Sequence, residues 1–167
     1  MKLRSVLFGA AASLVLMGSA FAADPMGMSS PGGFDWSRLY VGVLGGGWNG
    51  GGSGAFVDGV VGANMVVDNG LVLGAELEAG TYSDTGGWYG EAYAIGRLGV
   101  LANDQVLLYG YGGPGIDDGD GAYRIGMGAE IAVTNNVSIR GQVDRGAYMD
   151  GSNTWVDAAV GASVYLP

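Results

Sequence analysis

From Trp36 onward, apolar or small residues recur at every second position, and the charges fall between them. A period of two places alternate side chains on opposite faces of an extended strand. Eight such segments follow one another, at 37–48, 55–67, 71–82, 88–101, 105–113, 121–133, 137–149 and 154–166. Each is bounded by Gly, Asn or Asp, residues that tolerate the backbone of short turns. Three connections read as tight, at 68–70, 103–104 and 134–136. The other four, at 49–54, 83–87, 114–120 and 150–153, read as longer. This alternation predicts an all-β, eight-stranded antiparallel up-and-down barrel with short inner turns and longer outer loops.

The two faces differ in kind. Val156, Ala158, Val160, Ala162 and Val164 share one face of the last segment, whereas Asp157 lies on the other. Leu73, Leu77 and Ala79 oppose Glu76 and Glu78; Ile125, Met127 and Ile131 oppose Arg124 and Glu130. Ile139 and Val143 oppose Arg140 and Asp144, Ala92 and Leu98 oppose Glu91 and Arg97, and Asp58 and Arg38 fall on polar faces of their segments. Alternation alone does not decide which face is outside. A soluble barrel turns the apolar face inward and a membrane barrel turns it toward lipid. Three features favour a transmembrane β-barrel. The segments match the ~9–11 residues of a tilted span. Their apolar faces are rich in Ala and Gly, which fill a core poorly. Charges of both signs sit mid-strand on one face. The polar face then predicts a luminal charge network of Arg38, Asp58, Glu76, Glu78, Glu91, Arg97, Arg124, Glu130, Arg140, Asp144 and Asp157, with Arg97 and Arg124 each meeting a carboxylate, because buried charges need partners.

Aromatic residues flank the longer loops at Trp48, Phe56, Tyr82, Trp88, Tyr111, Tyr123, Tyr148 and Trp155. An interfacial girdle is one reading. Parity turns only Trp88 and Tyr123 outward, and aromatics that cap the barrel mouth are the other reading.

The first residues add an address. Lys2 and Arg4 precede an apolar run, Val6 to Met17, and Ala20-Phe21-Ala22 supplies a small-residue cleavage pattern. Residues 1–22 read as a signal peptide, 23–35 as a flexible mature N-terminus and 36–167 as the barrel domain. Loss of the signal removes Lys2 and Arg4. Five basic residues, all Arg, then face 16 acids, a formal charge of −11 (5 − 16). That balance excludes nucleic acid as a partner. With no Cys, neither a disulfide nor a thiolate metal site is available.

Several motifs, in order, resemble one family. They are Phe34-Asp35-Trp36-Ser37-Arg38-Leu39-Tyr40-Val41-Gly42-Val43, Leu73-Gly74-Ala75-Glu76-Leu77-Glu78, Gly96-Arg97-Leu98-Gly99, Leu107 to Gly113, and Gly128 to Asn136. Together they resemble the small porin-like outer-membrane immunogenic protein barrels of alphaproteobacteria, which are OmpA- and OmpX-like in shape. Departures are Arg38, where that pattern has Gly, the outer loops, which are short for the family, and the ending Tyr165-Leu166-Pro167, where it has an aromatic. The resemblance implies export to the outer membrane and a structural, antigenic or loosely porin-like role. It brings no catalytic residues with it.

The chain has no His, so the histidine-based mechanisms of outer-membrane hydrolases lose their general base. Glu76 and Glu78 form a conceivable carboxylate pair, but a charge network with Arg is the reading adopted. No catalytic residue, metal site or cofactor is expected. Acids placed in outer loops, Asp84, Asp117, Asp118, Asp120 and Asp150, suit weak divalent bridging to lipopolysaccharide phosphates. Expected partners are outer-membrane lipid, lipopolysaccharide and the barrel assembly machinery, with a monomer as the resting state because a closed sheet has no free edge. Two alternatives stand beside the structural barrel: a small porin with weak cation preference, and a soluble periplasmic ligand-binding barrel.

Overall fold

In a computed structural model, residues 33–167 are described. The proposed signal peptide and residues 23–32 lie outside them. Eight strands follow in chain order: β1 Leu39–Asn49, β2 Ser53–Val66, β3 Leu71–Asp84, β4 Gly87–Asn103, β5 Val106–Asp117, β6 Asp120–Ala132, β7 Val137–Tyr148 and β8 Thr154–Tyr165. Every strand pairs antiparallel with its sequence neighbour, and β8 returns to β1 to close the barrel. Val41↔Val164 and Gly45↔Val160 are two rungs of that closing ladder.

The connections are shorter than the sequence pattern suggests. At the end carrying the β1–β2, β3–β4, β5–β6 and β7–β8 turns, here the outer end, β3 and β4 are joined through Thr85-Gly86 and β5 and β6 through Asp118-Gly119. The expected contrast between long outer and short inner connections is therefore absent at these two turns. Gly119 takes a φ of 98°, a value glycine adopts without steric cost, so the strands run on almost to the turn. Strand β5 shows this most clearly. It continues through Pro114 to Asp117, four residues past the expected end. Pro114 has no N–H to give to β4, and that ladder is interrupted between Gly96↔Gly112 and Tyr93↔Gly115. Pairing with β6 holds throughout, including Pro114↔Tyr123, and preserves the strand.

Faces follow the period-two pattern. Val43, Leu77, Leu98, Ile125, Met127, Val143 and Val160 are exposed on the outer wall. Asp58, Glu76, Arg97, Arg124, Glu130 and Arg140 are buried inside. That polarity is the inverse of a soluble barrel and rules out the soluble ligand-binding architecture. Inward-facing glycines give large side chains their space. A Cβ on Gly62 would lie 2.4 Å from Tyr40 Cζ, and one on Gly146 would lie 2.2 Å from Trp155 Cε2. Each ring lies over the glycine of the adjoining strand.

The inner end is closed by an aromatic cluster. Phe34, Trp36 and Tyr165 are buried against one another, and Trp36 Nε1 donates to Asp104 O at 3.2 Å. Residues 33–35 therefore depart from the expected flexible N-terminal segment. Burial of the Phe34 ring against Tyr165 ties this stretch to the barrel.

Candidate functional site

The lumen holds two tiers of charge. In the inner tier, Arg97 on β4 reaches across the barrel. Its Nη2 donates to Glu130 Oε2 at 2.7 Å, and its Nη1 donates to Tyr40 Oη at 2.7 Å and lies 3.5 Å from Glu76 Oε2. Arg140 Nη1 donates to the same Glu76 oxygen at 2.7 Å. Tyr40 Oη in turn donates to Glu76 at 2.6 Å. Glu130 Oε1 accepts from Ser138 Oγ at 2.6 Å and from Tyr165 Oη at 3.0 Å, while Asn64 Nδ2 donates to Tyr165 Oη at 3.1 Å. The Arg97 guanidinium also sits 4.0 Å from the Tyr109 ring centroid, a favourable cation–π distance. Two carboxylates thus meet two guanidinium groups, and hydroxyl donors take up lone pairs of Glu76 and Glu130. The tier is balanced in charge, although Arg97 Nε and the Nε and Nη2 of Arg140 have no hydrogen-bond partner in the protein.

The outer tier is different. Asp58, Glu78, Glu91, Asp117, Asp144 and Asp157 are buried there with one guanidinium, that of Arg124. Arg124 Nη2 donates to Glu78 Oε2 at 2.9 Å and lies 4.0 Å from Asp58 Oδ2, and its Cζ stacks 3.6 Å from the Tyr93 ring centroid. Tyr111 Oη donates to Asp144 Oδ2 at 2.5 Å, and Trp155 Nε1 donates to Asp157 Oδ2 at 3.0 Å. Both oxygens of Asp58, and one each of Glu78, Asp117 and Asp144, have no hydrogen-bond partner in the protein. Above them a cavity of about 230 Å³ opens at the outer end, lined by Tyr82, Glu91, Asp117, Tyr148, Trp155 and Asp157 among others.

Ten of the eleven residues expected in the luminal network lie inside the barrel, from Asp58 to Asp157. Arg38 does not. It precedes β1 at the inner rim, where its Nε donates to Asp35 O at 2.9 Å and its Nη2 to Asn135 O at 2.8 Å. From the rim its guanidinium lies 5.7 Å from the Tyr165 ring centroid and pairs with Asp35 instead of a luminal carboxylate, and it caps the β6–β7 turn. Asp117 was expected in a solvated loop, but it is the last residue of β5 and is buried. The set of exposed loop acids for lipopolysaccharide bridging loses that member. Asp150 remains exposed, and hydrogen bonding from Ser152, first by its side chain and then by its backbone N–H to Oδ1 at 2.8 Å, holds its carboxyl below the usual carboxylate range.

Parity puts Asn64, Ser138 and Gln142 on the polar faces, but the expected network named charged residues alone, without these or the tyrosines whose hydroxyls and amides complete it. Tyr109 Oη, for example, donates to Gln142 Oε1 at 3.1 Å. The usable signal was parity, since each shares a face with a charged residue. The aromatics near the outer end resolve toward the barrel mouth. Trp88 and Tyr123 are exposed, at 68% and 47%, whereas Phe56, Tyr111 and Trp155 are buried inside.

An antiparallel sheet of eight strands, closed on itself, apolar without and charged within, defines a small transmembrane β-barrel of the outer-membrane type. The sequence is 30% identical, over 128 residues, to the 31 kDa outer-membrane immunogenic protein of Brucella melitensis biotype 1. That match covers 54% of this chain and 52% of the relative, so the chain spans about half the length of the curated relatives it matches. No family model matches. Among solved structures, Neisserial surface protein A shares the fold with a TM-score of 0.57 and 12% identity, over 77% of this chain and 97% of that one. The N-terminal β-barrel domain of Pseudomonas aeruginosa OprF does so with a TM-score of 0.57 and 14% identity, over 76% and 97%.

Proposed function

We propose that the protein is a non-enzymatic barrel of the bacterial outer membrane, with a structural or surface-antigen role and a plugged lumen. The observation that carries this reading is the inner tier. Glu76, Arg97, Glu130 and Arg140 span the lumen through direct bonds, and Phe34 and Trp36 pack beneath them. Eight strands leave an interior just wide enough for side chains to fill. The sequence likeness to an outer-membrane immunogenic protein supports the compartment and the surface role. The absence of His from the sequence supports a non-catalytic one. The barrel is inserted as a monomer after signal-peptide cleavage and contacts lipid and lipopolysaccharide; the assembly machinery is its transient partner.

A small cation-preferring porin is the second reading, and the acidic outer tier favours it. Fractionation followed by gel electrophoresis with and without boiling tests the first. A heat-dependent mobility shift in the outer-membrane fraction is expected, and recovery from the soluble periplasm without a shift would refute it. Planar-bilayer recording separates the two. A silent bilayer is expected, while reproducible cation-selective steps would establish the porin.

A further inference from the structure

We propose that the outer vestibule of the barrel binds a divalent cation, with Glu91, Asp117 and Asp157 on its wall and Asp58 and Asp144 beneath.

The first observation is the pairing register. Glu91 on β4 is directly opposite Asp117 on β5, and Asp144 on β7 is directly opposite Asp157 on β8. Like charges directly opposite in a ladder repel. Here two such pairs face one lumen, which confines the repulsion. Arg124 relieves it only in part, as one guanidinium shared among six buried carboxylates. Among the described residues, its carboxylate contacts within 4.0 Å are Glu78 and Asp58, and it is held over Tyr93. Arg97 and Arg140 are committed to Glu76 and Glu130 one tier below.

The second observation is independent of the acid count. Asp117 is only 6% exposed, lines the vestibule cavity, and leaves Oδ1 without a partner in the protein. Asp58 is 1% exposed and neither of its oxygens is hydrogen-bonded, although Arg124 Nη2 lies 4.0 Å from Oδ2. A buried, unsatisfied carboxylate carries a heavy desolvation cost unless a counter-charge reaches it. The cavity gives a counter-charge access to Asp117, Glu91 and Asp157 from the outer end.

Chemistry selects the class of ion. The donors are all hard oxygens, with neither His nor Cys in the chain, which suits Ca²⁺ or Mg²⁺ over softer metals. Two like-charge pairs call for more than a single positive charge. Among the described residues, no three acids already converge as ligands of a bare ion. The vestibule's volume of about 230 Å³ accommodates several waters, at ~30 Å³ each, so the ion enters with part of its hydration shell, as Mg²⁺ commonly does. The site is distinct from the exposed turn acids, such as Asp118, which face solvent.

Trp155 supplies the readout. Its indole nitrogen bonds Asp157, so a lanthanide held there lies close enough to be sensitised by that ring. The full mature chain, folded in detergent micelles, is titrated with Tb³⁺ under indole excitation, and Ca²⁺ or Mg²⁺ is then added in competition. Saturable Tb³⁺ luminescence, displaced by Ca²⁺ or Mg²⁺, is expected. D157N and E91Q should weaken it at least tenfold, and D118N should leave it unchanged. The heat-dependent gel shift identifies which variants are folded, and D117N replaces either of the first two if it is not. A folded wild-type barrel without saturable luminescence would overturn the proposal, because the acids would then be neutralised by shared protons alone. Luminescence that survives D157N, E91Q and D117N, or that is lost in D118N, would also overturn it, as adventitious binding to the surface.

Discussion

Replacing Arg97 by Met tests whether the inner tier holds the barrel together as a network. Met keeps an unbranched side chain of similar reach and removes the charge. Arg97 makes two short charge-assisted bonds, to Glu130 and to Tyr40, a longer contact to Glu76, and a cation–π contact with Tyr109. After substitution Arg140 still holds Glu76, whereas Glu130, 0% exposed, keeps only hydroxyl donors, Ser138 and Tyr165. Removing one partner of a buried pair costs about 3–5 kcal/mol, because the remaining charge stays desolvated. With urea m-values of about 1–3 kcal/mol/M, the unfolding midpoint in lipid vesicles should fall by on the order of 2 M. The double variant R97M/E130Q should recover a coupling energy of about 2 kcal/mol, since it removes the stranded charge together with its partner. Tryptophan fluorescence, followed through the urea transition for wild type, both single variants and the double, completes the cycle. A loss below about 1 kcal/mol for R97M, or strictly additive single effects, would refute the view that these groups act as one unit.

Other expectations follow from the two faces. Gly146→Ala should destabilise the barrel by about 1–3 kcal/mol, because its Cβ would overlap the Trp155 ring, whereas Gly141→Ala, whose nearest neighbour is 4.0 Å away, should stay within about 0.5 kcal/mol; urea midpoints compare them. Val160→Arg, on the outer wall near mid-strand, should cost about 2–4 kcal/mol in vesicles, and a smaller effect at a rim position such as Val156 would confirm the depth dependence. A barrel retaining only Trp88 should be quenched by brominated lipids, and one retaining only Trp36, buried at the inner end, should not; equal quenching would mean the faces are misassigned.

The fold was largely legible because a strand has a side-chain period of two. Once Leu77 is outside, Glu76 and Glu78 must be inside, and a slip of one residue would put the luminal charges into lipid. What alternation does not encode is where a strand stops. Pro114 and the Gly-Asp run after it read as loop, yet Asp117 pairs with both Glu91 and Asp120. Pairing with β6 along the whole of β5 outweighs the local turn preference. The same limit explains Phe34. Its segment contains Pro and Gly upstream and has no alternation, but its ring packs on Trp36 and Tyr165 at the inner end, a tertiary contact that no local pattern encodes.

The site was legible by membership and not by partition. Parity puts Glu91, Asp144 and Asp157 on the same face as Arg97 and Arg140, and a sequence offers no reason to separate them. Height along the barrel axis does so. Arg97 and Arg140 lie toward the inner ends of β4 and β7, while the acids lie toward the outer ends of β4, β7 and β8. Strand direction alternates, so residues far apart in sequence fall into one layer and residues close in sequence into different layers. Glu78, only two residues beyond Glu76, bonds Arg124 instead of Arg97 or Arg140. The sums of charge along the chain are therefore uninformative about any one layer. The pairing register converts a generally acidic protein into a neutral plug at one end and an acid-rich vestibule at the other.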